Sequence, residues 1–176
     1  MKRATSRAET VHVDASPEQV YALVSDVTRM GEWSPETYRC RWIDAEGPAP
    51  GAQFKGYNRR GRARWSNTLV VLSAEPGREF SFRRDVPACG VCDWTYRMEA
   101  AGEGGTVLTE SYEVKKADWR ITNWFNGLLL GVADRDEDLL AGMRTTLARI
   151  KAAAEEEAHA TDSTLGTTLM PERSER

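Results

Sequence analysis

Along most of the chain apolar and polar residues alternate with a period of two, and near both ends the period lengthens to that of a helix. Val11 and Val13 alternate with Thr10, His12 and Asp14, the pattern of a half-buried strand. Ser16 then stands as a helix cap, Pro17 fits the first helical position, and Gln19 occupies the site where a capping box places Glu or Gln. Val20, Leu23, Val24 and Val27 form the apolar stripe of that helix, and a second short helical turn ends at Trp33.

The middle of the chain reads as antiparallel strands joined by turns. Residues 37–44 set Tyr38, Cys40 and Trp42 on one face against Arg39 and Arg41, and the Gly47-Pro48-Ala49-Pro50-Gly51 run that follows is a loop. Strands are expected over 52–58 and 62–75, with Arg59-Arg60-Gly61 as a hairpin turn. Pro76-Gly77 turns the chain into 79–84, which carries Phe80 and Phe82 on one face. A strand over 91–101 groups Trp94, Tyr96 and Met98, Gly102-Glu103-Gly104-Gly105 turns again, and 106–115 is the last strand.

From Asp118 the period changes. Ile121, Trp124, Phe125 and Leu128 suggest a short helix, interrupted near Gly131, and a long helix follows with Leu139, Leu140, Met143, Leu147 and Ile150 on one face. Asp134, Asp136, Glu137 and Asp138 gather at its start, where the helix dipole favours carboxylates. The segment 158–176, rich in Thr, Ser, Glu and Arg, is expected to be a disordered tail after a single domain over 1–157.

The segment ASPEQVYALVSDV followed by GEWSP resembles the entry to the START/Bet v 1-like (SRPBCC) superfamily, and specifically its polyketide cyclase/dehydrase-type members. GAQFKGYNRRGRARWSNTLVVLSAEPGREFSFR and DWTYRMEAAGEGGTVLTESYEV extend the similarity, which covers roughly the first 155 residues, ample for one domain. The resemblance implies an α+β helix-grip fold, a curved antiparallel β-sheet wrapped around a long C-terminal helix, with two short helices after the first strand. It implies a ligand cavity between sheet and helix. One fold hosts many activities, so the function has to come from the site.

Composition narrows the classes. With 24 basic against 27 acidic residues and a net charge of −3, nothing points to nucleic acid as partner. No apolar run is long enough to span a bilayer, and the polar start MKRATSRAET lacks the core of a signal peptide, so the cytoplasm is the expected location. Three cysteines make no disulfide framework. Cys89 and Cys92 have the spacing of a redox motif or half a zinc site, but no second pair follows. They read as incidental thiols, with a reversible local disulfide as the alternative. No metal and no cofactor is expected, and no Ser-His-Asp order, HExxH, phosphate loop or dinucleotide fingerprint occurs. The two histidines, His12 and His159, are not placed for catalysis.

If the cavity exists, alternation assigns its walls. Phe54 brings Gly56 and Asn58 to the same face, and Trp65 brings Asn67, Leu69 and Val71. The expected ligand wall comprises Trp33, Trp42, Phe54, Trp65, Asn67, Leu69, Phe82, Trp94, Tyr96, Leu108, Trp124, Leu128 and Met143. For any single tryptophan, packing in an ordinary core is the favoured reading. Glu110, Tyr112 and Asn58 are the candidate catalytic groups. Glu110 in an apolar pocket has a raised pKa suited to acid or base chemistry; in another register it faces solvent or pairs with an arginine such as Arg64. Asp26 reads as a local cap. Three functions remain: binding of a hydrophobic small molecule (lipid, polyketide or aromatic metabolite), an aromatase/cyclase-like activity, and a protein-interaction or stress-related module. A homodimer or a carrier-protein contact is the expected protein partnership; in the last reading an acidic partner such as a carrier protein meets Arg59, Arg60, Arg62 and Arg64, unless these simply blunt a strand edge.

Overall fold

The computed structural model describes residues 6–86, 90–116 and 135–168. Strand β1 spans Ser6–Val13, and three short helical pieces follow it: α1 (Pro17–Ser25), a 3-10 turn (Val27–Arg29) and α2 (Met30–Trp33). Six strands come next, β2 (Thr37–Trp42), β3 (Gln53–Arg60), β4 (Ala63–Glu75), β5 (Glu79–Val86), β6 (Gly90–Ala100) and β7 (Thr106–Lys116). The helix α3 (Arg135–Thr168) ends the described chain.

The capping box at α1 forms as the residue types dictate. Ser16 Oγ accepts from the Gln19 backbone N–H at 3.3 Å, and Gln19 Oε1 accepts from the Ser16 N–H at 2.9 Å. Val20, Leu23 and Val24 are buried beneath it. Asp26 stops the helix and caps the next turn, its Oδ1 accepting from the backbone N–H and hydroxyl of Thr28. Gly31 lets α2 lie against β2, because a Cβ there would fall 2.5 Å from the carbonyl oxygen of Tyr38.

All seven strands form one antiparallel sheet in the order β1-β7-β6-β5-β4-β3-β2. From β2 to β7 each strand pairs with its sequence neighbour, whereas β1 crosses to the far edge and pairs with β7. Gly61, at φ 54°, supplies the tight β3–β4 turn, with Arg60 opposite Ala63. Register shifts at Thr37/Arg39, Val71/Ser73 and Val91/Cys92 mark irregularities of the kind that bend a sheet. The first of them corrects one expectation. Tyr38 does not share a face with Cys40 and Trp42; the bulge turns it outward, where it is 41% exposed and lies under the Arg59 guanidinium.

Helix α3 packs across the inner face of the sheet against β1, α1 and α2. Met143, Leu147, Ile150 and Ala154 recur at intervals of three and four, and all are buried. Full burial of a large apolar side chain contributes roughly 1.5–3 kcal/mol, so this stripe and the phenylalanines beneath it hold the layers together. Polar clasps fix the helix. Glu155 Oε1 accepts from the Asp14 backbone N–H at 2.8 Å, Lys151 Nζ donates to the His12 carbonyl at 2.9 Å, and Arg60 bridges Glu36 and Asp138. Arg60 is therefore engaged within the protein, unlike the exposed cation expected of it. The helix continues to Thr168. Among the described residues no helix is long and apolar enough to cross a membrane.

Candidate functional site

The inner face divides into two halves. In one, Phe54, Phe80 and Phe82 interlock, Phe54 edge-on to Phe82 at 5.3 Å and Phe80 tilted on Phe82 at 5.8 Å. Val71, Met98, Leu108 and Ile150 close around them, and all belong to one apolar cluster with the stripe of α1. Trp33, fully buried, joins this cluster, with the Arg29 guanidinium 5.8 Å from its ring centroid. Trp33, Phe54 and Leu108 thus pack among protein side chains. The helices that follow β1 cover them.

In the other half the wall is looser. Trp65 and Asn67 of β4 share the inward face with buried Leu69 and Val71, yet both are only half-buried and join neither apolar cluster of described residues. Trp94 of β6 is also half-buried, with its ring 5.3 Å from that of Tyr112. Met143 packs beside Cys92 and Tyr112, flanked by Leu139 and Leu140. Trp42 stands at the edge, 5.6 Å from Phe54. Trp124 and Leu128 lie outside the described residues.

Glu110 sits between these halves and faces inward, 4% exposed. It stands opposite Tyr96 in the β6–β7 ladder, and the Tyr96 hydroxyl donates to its Oε1 at 3.0 Å. The second oxygen, Oε2, is buried with no hydrogen-bond partner among the described residues. Loss of hydration raises the Glu110 pKa to about 8, only partly opposed by the Tyr96 hydrogen bond. Burial together with this carboxyl raises Tyr96 well above the usual phenol range. Glu110 is therefore protonated at neutral pH and has a proton to donate. The alternative pairing with Arg64 does not form: Arg64 is exposed, opposite Arg59 on the outward face.

The three candidate catalytic groups are not brought together as one cluster. Tyr112 follows Glu110 on the same face of β7, but Asn58 is on β3, with three strands between. Its Oδ1 accepts from the Thr37 hydroxyl at 2.7 Å. That bond gives Asn58 a structural task.

Sequence reasoning missed Arg84. It follows Phe80 and Phe82 on the inward face of β5 and stands opposite Leu69 on one side and Cys92 on the other, both buried. The alternation of β5 carried the signal, extended by one more step. Glu9 was also missed; it stands opposite Glu110 in register and pairs with Arg144 at 2.7 Å.

The two described cysteines, Cys40 and Cys92, offer no ready nucleophile. Burial pushes the Cys40 thiol up to about 12 and Cys92 to about 11. Cys89 lies outside the described residues. Among the described residues no three His, Cys, Asp or Glu side chains converge as metal ligands. An open depression of about 670 Å³ lies on the outward face, lined by Asp93, Arg97 and Glu113 together with Ala8 and Leu72.

The geometry can be set beside known proteins. Residues 4–155 match the model of the family described as polyketide cyclase / dehydrase and lipid transport. No curated protein matches. Among solved structures, the Zhui aromatase/cyclase from Streptomyces sp. R1128 is similar with a TM-score of 0.61 at 18% identity, over 85% of this chain and 93% of that one. A START superfamily protein from Mycobacterium smegmatis gives 0.59 at 20% identity, over 89% and 98%. A Polyketide_cyc-like protein, Cgl2372 from Corynebacterium glutamicum, is 32% identical over 100% of both chains, with a TM-score of 0.49. With seven antiparallel strands gripping a long C-terminal helix and a family match across nearly the whole described domain, this chain belongs to the polyketide cyclase/dehydrase and lipid-transport family.

Proposed function

We propose that this protein binds a hydrophobic small molecule, a lipid, polyketide or aromatic metabolite, between the loose half of the sheet and the C-terminal helix. The observation that carries the reading is the half-buried state of Trp65 and Asn67 on the inward face, outside both apolar clusters of described residues. Aromatic surface facing inward without being packed is surface available to an apolar guest. The family description, which includes lipid transport, supports it. Native mass spectrometry of freshly purified protein tests it: a stoichiometric apolar adduct, released on denaturation, is the expected result, and failure of both adducts and added apolar probes to bind removes the reading.

Glu110 favours a second reading, an aromatase/cyclase-like enzyme. A carboxyl kept protonated near neutral pH, with one oxygen held by Tyr96 and the other unpartnered among the described residues, can give a proton to a carbonyl or to a departing hydroxyl. Aldol closure and dehydration of a poly-β-ketone need that proton and a pocket that folds the chain. Loss of cyclised product in Glu110→Gln, with ligand binding retained, supports this reading. Unchanged turnover removes Glu110 from it.

A further inference from the structure

Two adjacent arginines on β5 have opposite fates. Arg83 points outward and donates to both oxygens of Asp93, at 2.7 and 2.8 Å. Arg84 points inward between Leu69 and Cys92, and its Nε is shielded from solvent with no acceptor among the described residues. Among the described residues no carboxylate answers it locally: Asp93 is taken by Arg83, Asp85 is exposed on the outward face, and Glu113 points outward to Lys115. Its charge partly opposes the burial that raises the Cys92 thiol.

A guanidinium cannot shed its charge, and a shielded N–H without an acceptor is costly. Such a group is stabilised when an oxyanion arrives. The surroundings fit one. Asn67 and Trp94 are the diagonal neighbours of Arg84 on β4 and β6, within reach of a long side chain, and both are half-buried. An amide and a guanidinium beside tryptophan surface form an amphipathic receptor.

Resting on the hydrophobic-ligand reading above, we infer that the ligand is an acid: an apolar body against Trp65 and Trp94, with a carboxylate received by Arg84 and Asn67. The charge-assisted, bidentate bond sets its orientation and selects it over neutral molecules of equal size.

The test is calorimetric titration of the full chain with two probes of matched length, decanoate and decan-1-ol. Wild-type protein is expected to bind decanoate roughly ten- to a hundredfold more tightly, the gain expected of a hydrogen bond to a charged group. Arg84→Met is expected to lose that preference with decanol binding unchanged, Arg84→Lys to keep part of it, and Arg83→Met to leave it intact. Equal binding of the two probes by wild type overturns the assignment while the hydrophobic-ligand reading stands. A preference that persists in Arg84→Met also overturns it. If neither probe binds, both readings fail together. The wild-type comparison needs no variant, so a poorly folded Arg84→Met does not shelter the proposal.

Discussion

The two halves of the inward face use one alternation and reach different ends. Where α1 and α2 cover the sheet, Phe54, Phe80 and Phe82 are interlocked and sealed. Away from those helices the same inward positions carry Trp65, Asn67, Arg84 and Trp94, and none is fully buried. Period two decides which way a side chain points, and the covering layer decides whether it becomes core or wall.

The comparison breaks most sharply at the sealed half. Phe80→Ala is expected to cost about 3–5 kcal/mol in denaturant unfolding, because an interlocked ring leaves a cavity that its neighbours cannot fill. Trp65→Ala in the loose half is expected to cost well under half as much while weakening apolar-probe binding more than Phe80→Ala does. Comparable stability losses at the two positions would erase the distinction.

Glu110, at the boundary, sharpens it through pH. Its folded pKa of about 8 lies above the ordinary carboxyl value of 4.5, so the native state holds the proton more tightly than the unfolded chain. Its contribution to stability is full below pH 4.5 and is lost as pH rises towards 8. Glu110→Gln abolishes this loss, so the variant should gain on wild type by a few kcal/mol between pH 5 and 9. Parallel pH profiles for the two proteins would show that the carboxyl is not held neutral.

Smaller effects test how the covering layer is fixed. Ser16→Ala removes the cap of α1 and is expected to cost about 1 kcal/mol. Arg60→Met releases Glu36 and Asp138 from each other and is expected to cost about 1 kcal/mol or less, with the deficit shrinking in high salt because the arginine is partly exposed.

Much of this architecture is legible without coordinates. The capping residues, the strand alternation and the glycine turns are local chemistry, and Ser16, Gln19 and Gly61 act as their types dictate. The inward place of Glu110 follows from alternation alone, but its choice between Tyr96 and an arginine depends on which strand lies beside β7, a matter of topology. Tyr38 defeats the pattern because one extra residue in a bulge reverses the face on which it emerges. Arg84 escaped notice for the opposite reason. Its alternation was regular, and only its charge argued against an inward place.

The crossing of β1 to the far edge of the sheet has a consequence for biosynthesis. The hairpins from β2 to β7 can close as they leave the ribosome, but β1, although made first, has no partner until β7 has emerged, its Val11 waiting for Leu108. During that interval the first strand of the sheet is the one left unpaired and open to chaperones. The sheet is thus closed by its first and last strands together, once β7 has been made.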